Sequence, residues 1–390
     1  MIVRRLAGAL LVVSAVACTQ DDDSGTLQTV ADSVRVVSGA PGVIVAVRTP
    51  SGVVHRAASG VADLESERPI RADDAFRLGS VSKTYTSTVV LRLVEDGLLS
   101  LDDRLSQYLP GFPRGEEVSV RHLLDHTSGL RDFYLYLYFR PDRAEMIELV
   151  TRRWSEEELL ELSARFGFSF DPGADWAYSN TNYFLLGVII ERVTGRPLGH
   201  AYQTYIYEPL GIRDTWLSEH EPARLPLLTT GYMGHVDDWK HSEMFGELGP
   251  TTVLDRSPVE WGAGGLVSTA AEAISFLSGL MNGALLGAEQ LAAMQSFRDT
   301  PRQGIGRASG VTKPDGYGLG LVRLELPGST LVGHGGLFTG HTAGVWHLPA
   351  CDVTIALYMN RGFVGQRDAI EVIVGSLAKL DSGLASCRVS

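Results

Sequence analysis

Two hydroxyl–amine pairs stand three residues apart in this chain, Ser80-Val81-Ser82-Lys83 and Ser376-Leu377-Ala378-Lys379. Lysine is scarce: Lys83, Lys240, Lys313 and Lys379 are the four among 34 basic residues, and only lysine works as a neutral amine near pH 7. Three residues is about one helical turn, so each pair shares a face. At a helix start the dipole favours negative charge on the serine, and free backbone N–H groups can hold an oxyanion. Burial would lower the amine's pKa toward that of a usable base. The first pair opens a helix. The second lies near the end of the last helix, where the dipole favours an ammonium and opposes an alkoxide, so it reads as a surface coincidence. Tyr178-Ser179-Asn180 follows the turn Asp171-Pro172-Gly173. A phenol beside a lysine can act as a general base, and an asparagine amide can hold a substrate carbonyl. An N-capping Asn with a packing Tyr is the alternative. Tyr358-Met359-Asn360 repeats the pattern at a strand end and is read as structural. His334-Gly335-Gly336 is expected at a strand end or bend, where glycines admit a ligand to the backbone. The histidine there could bind a carboxylate, relay a proton or simply complete the turn.

Other patterns point less sharply. His122 and His126 have ligand-like i, i+4 spacing but no third ligand at a familiar distance, and no HExxH occurs. His235 to His241 reads as a polar loop rather than a metal site. Neither Gly-x-Ser-x-Gly nor a Walker loop is present, and no metal or cofactor is expected. Phe133, Tyr134, Tyr136, Tyr138 and Phe139 form either a helix-packing patch or an aromatic rim.

The elements that must position these residues follow from periodicity. Val43–Thr49 and Gly52–Ala58 read as a hairpin, and Ser82–Gly97 as a helix closed by its glycine. From Val118 to about Leu291 the period is mostly helical, most clearly over Tyr183–Val193 and Ala270–Met281. Strands return at Gly318–Leu326, Thr330–Gly333, His341–His347 and Val353–Tyr358, before a helix from about Gln366 to Leu380. The expected architecture is mixed α/β (α+β). An antiparallel sheet flanked by helices is built from both chain ends, residues 31–80 plus 311–390, around an inserted all-helical domain at 81–310. The cleft between them is the natural place for a small-molecule site.

Thirty-four basic against 46 acidic residues give a net charge of −12, which argues against nucleic acid or an anionic membrane as partner. Met1–Arg5 is a basic start and Leu6–Ala17 an apolar stretch too short to span a bilayer, so residues 1–17 read as a secretory signal. Ala15-Val16-Ala17-Cys18 resembles a lipoprotein box with Cys18 as the lipidated residue. Residues 18–30 read as a flexible tether. The chain is thus expected to be exported, as a periplasmic or cell-envelope lipoprotein or a secreted protein. There Cys351 and Cys387 form an even pair, either bridged or two buried thiols.

Taken in order, LGSVSKTYTS (78–87), HLLDHTSGL (122–130), WAYSNTNYFLLGVIIERVTG (176–195), EPLGIRDT (208–215), GAGGLVST (262–269), YGLGL (317–321) and GHGG (333–336) resemble the serine β-lactamase and penicillin-binding-protein family. The nearest branch holds class C β-lactamases, D,D-peptidases, D-aminopeptidases and esterases. The resemblance implies a β-lactamase/transpeptidase-like fold. It makes Ser80 the acylated nucleophile, Lys83 with Tyr178 the base system, and Asn180 the holder of the substrate amide. It places the oxyanion hole at the N–H groups of Ser80 and Leu337, with His334, Gly335 and Gly336 lining the substrate site. Class C β-lactamases carry Lys-Thr-Gly where this chain has His-Gly-Gly. A neutral histidine is a poorer carboxylate anchor, which favours D-amino-acid peptides, amides or small esters as substrates. The alternatives are a class C-like β-lactamase and a non-catalytic penicillin-binding or sensing protein.

Overall fold

The computed structural model describes residues 23–138, 148–149, 152, 154–218, 228–233, 249–250, 260–300 and 314–387. The signal segment, Cys18 and the His235–His241 loop lie outside the described residues.

Helix α1 (Asp23–Ser38) precedes strands β1 (Gly42–Arg48) and β2 (Val54–Asp63). Helices α2 (Ser82–Glu95), α3 (Asn180–Thr194) and α4 (Ala270–Met281) follow. Strands β3 (Val322–Leu326), β4 (Ser329–Phe338), β5 (His341–Leu348) and β6 (Val353–Met359) then lead to α5 (Arg367–Leu380). The strands form one antiparallel sheet in the order β2-β1-β6-β5-β4-β3, extended by short edge strands at Arg68–Pro69, Gly316–Tyr317 and Arg298–Asp299. The sheet is therefore assembled from both chain ends, β1 lying beside β6 with Val45 opposite Leu357.

Both faces of the sheet are covered, which explains why its central strands are apolar without a break. Period-two alternation sends Val43, Val45 and Val47 toward α1 and α5, and Ile44 and Ala46 toward the helices on the other side. Helix α2 is buried around most of its circumference, so its polar side chains need partners inside the protein. Thr86 Oγ1 donates to the Gly262 carbonyl at 2.6 Å, Thr84 Oγ1 to that of Gly320 at 2.8 Å, and Ser82 Oγ accepts from Leu266 N at 3.1 Å.

Four expectations need correction. The tether assigned to residues 18–30 gives way to α1 at Asp23, whose Leu27, Val30, Ala31 and Val34 are buried against the sheet and α5. The region 81–310 is not all-helical, because Leu266–Ser268 pairs with Trp216–Leu217 on one side and with Phe76–Arg77 on the other in a small separate sheet. Gly318–Leu326 is interrupted, with Gly320 at φ +82 turning the chain between Tyr317 and β3. His334-Gly335-Gly336 lies inside β4 rather than at its end. Cys351 and Cys387 are joined in a disulfide, Cα–Cα 5.2 Å, tying the chain's end to the β5–β6 turn.

Candidate active site

Ser80 sits in a single 3-10 turn, Gly79–Val81, that runs directly into α2. Gly79 has φ +51 and meets β4 so closely that a Cβ there would lie 2.5 to 2.9 Å from the backbone N, C and O of Leu337. The approach is reciprocal: a Cβ on Gly336 would lie 1.9 Å from the Leu78 carbonyl oxygen and 3.0 Å from Ser80 N. These two glycines bring the Ser80 turn and the Leu337 backbone against one another. Pairing of β4 with β3 runs only to Gly333, so the Gly335–Leu337 stretch of that edge faces the Ser80 turn instead of a β3 residue.

Lys83 is fully buried, one turn along the helix. Its Nζ lies 3.1 Å from Ser80 Oγ and 2.7 Å from both Asn180 Oδ1 and the Ala263 carbonyl. Burial brings its pKa down to about 7, against the opposing pull of Asp132 and Glu260. The neutral amine has two N–H groups for the two carbonyl acceptors, which leaves its lone pair for the Ser80 hydroxyl.

Tyr178 lies over Lys83, whose Nζ is 4.9 Å from the ring centre. The phenol is buried, and its hydroxyl lacks a well-angled hydrogen bond. Burial holds its pKa well above the usual value, while the nearby Ser80 hydroxyl pulls the other way. It is therefore protonated at neutral pH, an arrangement in which the phenol can give a proton and the neutral lysine can take one. Asn180 is the first residue of α3. It accepts from Lys83 and donates from Nδ2 to Asp132 Oδ2 at 2.9 Å, which leaves one amide hydrogen for a substrate carbonyl.

Two site groups escaped the motif reading. Asp132, part-buried, accepts from Asn180 Nδ2 and from Tyr134 N at 2.9 Å. Burial raises its pKa to about 6, countered by the backbone N–H groups of Asn180 and Tyr134, by the Lys83 charge and by the Asn180 amide. His126, at φ +62, is fully buried beside Tyr178, with ring centres 4.3 Å apart. The HLLDHTSGL string contains His126 and ends two residues before Asp132, so the string itself was the available signal.

His334 behaves differently from expectation. It is buried, its Nδ1 lies 2.6 Å from the Gly335 carbonyl and its Nε2 3.3 Å from the Tyr317 hydroxyl. With both nitrogens engaged inside the protein, it does not itself offer one to a substrate. Burial and the Lys83 charge lower its pKa to about 3, so the ring is neutral. His122 and His126 do not act together: His122 Nδ1 accepts from Ser119 N, whereas His126 Nδ1 faces Ser179 N. Among the described residues no group of three or more His, Cys, Asp or Glu could hold a metal ion. The second Ser-x-x-Lys pair is structural, Ser376 Oγ donating to the Val372 carbonyl. So is the second Tyr-x-Asn, where Asn360 joins Gly42 N to the Val61 carbonyl. Phe133 of the aromatic run packs edge-on against Phe184.

Comparison with known proteins accords with this arrangement. Esterase EstB of Burkholderia gladioli is 39% identical over 193 residues, 47% of this chain and 48% of the esterase. A D-aminopeptidase of Brucella anthropi is 29% identical over 361 residues, 90% of this chain and 61% of that protein. The chain thus spans about half the length of the first relative and under two thirds of the second. The structure of D-amino acid amidase from Ochrobactrum anthropi SV3 complexed with D-phenylalanine superposes with a TM-score of 0.78 at 27% identity, covering 92% of this chain and 99% of the amidase. A family model described as Beta-lactamase matches residues 30–375, and the chain belongs to that family.

Proposed function

We propose that the protein is a serine hydrolase that forms an acyl-enzyme on Ser80 and acts on amides or short peptides of D-amino acids bearing a free α-ammonium, with small esters as further substrates. The observation that carries the chemistry is the buried Lys83 amine, held by two carbonyls and facing Ser80 Oγ. As Oγ attacks the substrate carbonyl, its proton passes to Lys83. The oxyanion is received by the N–H groups of Ser80 and Leu337, which the Gly79–Gly336 approach brings together. The Tyr178 hydroxyl gives its proton to the leaving amine and recovers one from the Lys83 ammonium, so the serine proton ends on the product. Water then attacks the ester by the reverse sequence and frees Ser80.

Substrate preference follows from charge. A β-lactam presents a carboxylate, and His334 in the third motif is neutral and engaged. Asp132 instead places a carboxylate beside Asn180, with bonds from Asn180 and Tyr134 that leave lone-pair capacity for a cation. An α-ammonium is the complementary group. The D-series assignment rests on the similarity to D-aminopeptidase and D-amino acid amidase. The apolar leader and Cys18 support export, with a lipid anchor at that cysteine.

The test is a panel of nitrocefin, p-nitrophenyl acetate and butyrate, and D-alanine p-nitroanilide, each with the parent and Ser80→Ala. The expected result is turnover of the anilide and esters, with nitrocefin slow, and loss of both turnover and fluorophosphonate labelling in Ser80→Ala. Labelling that survives in Ser80→Ala would overturn the nucleophile. Nitrocefin as the fastest substrate by orders of magnitude would make the protein a β-lactamase. Stable acylation without turnover would make it a penicillin-binding or sensing protein.

A further inference from the structure

We infer that His126 is the positioning residue that aims Tyr178 at the reacting atoms; the inference rests on Tyr178 being the proton donor proposed above. His126 grips the chain on both sides of the tyrosine. Its own carbonyl accepts from Ala177 N at 3.0 Å, and its ring Nδ1 accepts from Ser179 N at 3.2 Å. The ring itself packs against Tyr178 at 4.3 Å, and edge-on against Tyr317 at 4.7 Å and Trp176 at 6.1 Å. Tyr178 is thus fixed by its two neighbouring backbone amides and by one face of its ring, all from a single residue.

The histidine is in turn held in place. Asn182 Nδ2 lies 3.1 Å from the same Nδ1, and Asn182 Oδ1 accepts from Ser128 Oγ at 2.6 Å. Because Nδ1 serves as acceptor, the ring proton belongs on Nε2, a buried nitrogen with no hydrogen-bond partner among the described residues. A backbone at φ +62 on a non-glycine residue and an unsatisfied buried N–H are both unfavourable, and such features persist where the surroundings impose them for a purpose. A packing role alone would be met more cheaply by an apolar ring. The acceptor directed at Ser179 N, inside the Tyr178-Ser179-Asn180 motif, is what an apolar ring could not supply.

A proton donor matters most when the leaving group cannot depart without a proton. An anilide nitrogen requires one; p-nitrophenolate leaves as the anion. The experiment compares the p-nitroanilide and p-nitrophenyl ester of one acyl group, chosen from the D-alanyl, acetyl and butyryl pairs that the parent enzyme turns over. kcat/KM, which reports acylation for both, is normalised to active sites titrated with a fluorophosphonate, whose fluoride also leaves unaided. His126→Leu is expected to lower the anilide value about 100-fold and the ester value less than about fivefold, the scale of a lost general acid. His126→Asn keeps an acceptor near the Nδ1 position and tolerates a left-handed backbone, so it should restore at least tenfold of the anilide loss. Tyr178→Phe must show the same selective loss, and His126→Leu added to it should cost little more. If Tyr178→Phe loses both substrates equally, the donor reading fails. If Tyr178→Phe is selective and His126→Leu lowers both substrates alike, or neither, the positioning role is refuted.

Discussion

Asp132→Asn removes one negative charge from the site, and the structure predicts opposite consequences for two substrates. With D-alanine p-nitroanilide, the lost partner is a charge-assisted hydrogen bond to the α-ammonium, worth about 1.5–3 kcal/mol, or roughly a 10- to 150-fold fall in kcat/KM. With p-nitrophenyl acetate there is no ammonium to lose. There the change acts through Lys83, whose pKa the Asp132 charge holds up. Removing that charge lowers the Lys83 pKa below about 7, so a larger fraction of the amine is neutral at pH 6. Ester hydrolysis at pH 6 should therefore be unchanged or faster. The assay measures both substrates at pH 6 and 7.5, together with N-acetyl-D-alanine p-nitroanilide, whose acylation removes the cation. The parent enzyme should prefer the free amine by the same 10- to 150-fold, and the variant should lose that preference. The variant also replaces an acceptor of two bonds by an amide that fits only part of the set, so its thermal midpoint is recorded alongside. Equal losses on all three substrates would mean that Asp132 serves only to hold Asn180 and Tyr134. No loss on the free amine would mean that the ammonium is read elsewhere.

Two further outcomes follow from the same geometry. For a neutral ester, kcat/KM between pH 5 and 9 should rise with pH along a limb centred near 7, because the Lys83 amine must lose its proton before it can take that of Ser80; a limb near 4 would assign the base to a carboxylate. Gly336→Ala sets a methyl group where 1.9 Å separates it from the Leu78 carbonyl, so the Ser80 turn and β4 must part. Fluorophosphonate labelling should slow at least 100-fold while circular dichroism still reports a folded protein, on the scale of losing an oxyanion-hole donor; labelling at the parent rate would show that this close approach does not set the hole.

What the sequence revealed and concealed follows from the range of the interactions. Ser80 and Lys83 are a local pair, as are Tyr178 and Asn180, so spacing alone placed each pair on one face or one loop, and the decoys at 376–379 and 358–360 were separable by the end of the element they occupy. Asp132 and Ala263 reach Lys83 only after the chain has folded, and no spacing relates them. Gly335 and Gly336 were expected at a strand end or bend, yet they sit inside β4, where the absent side chain of Gly336 admits the Ser80 turn from outside the sheet. Propensity speaks for one strand at a time, whereas the glycine here answers a neighbour more than 250 residues earlier in sequence. Helix α1 was concealed by composition: Asp21, Asp22, Asp23 and Ser24 made the segment look like a tether, while Leu27, Val30, Ala31 and Val34 already had the i, i+3, i+4, i+7 spacing of a buried face.

The same burial that makes Lys83 useful opposes folding, and the sign of that opposition can be followed with pH. An amine at about 7 in the folded protein against 10.5 when unfolded forgoes roughly 4–5 kcal/mol of stability at and below pH 7. The unfolded chain binds more protons between those values, so this contribution recovers as pH rises from 7 toward 10.5. Asp132 runs the other way: its pKa is raised to about 6, so its cost is absent in acid and fully present above that value. The two groups together therefore cost most close to neutrality, where the proposed chemistry uses both the carboxylate and the neutral amine. A site selected only for stability would not hold both there. Lys83 has three polar neighbours within 3.1 Å, Asp132 accepts hydrogen bonds from Asn180 and Tyr134, and α2 passes through the centre of the protein with its serine and threonine hydroxyls satisfied. These contacts offset part of the desolvation and fix the amine's lone pair on Ser80, which is why the perturbed pair serves as an argument for catalysis rather than for scaffolding.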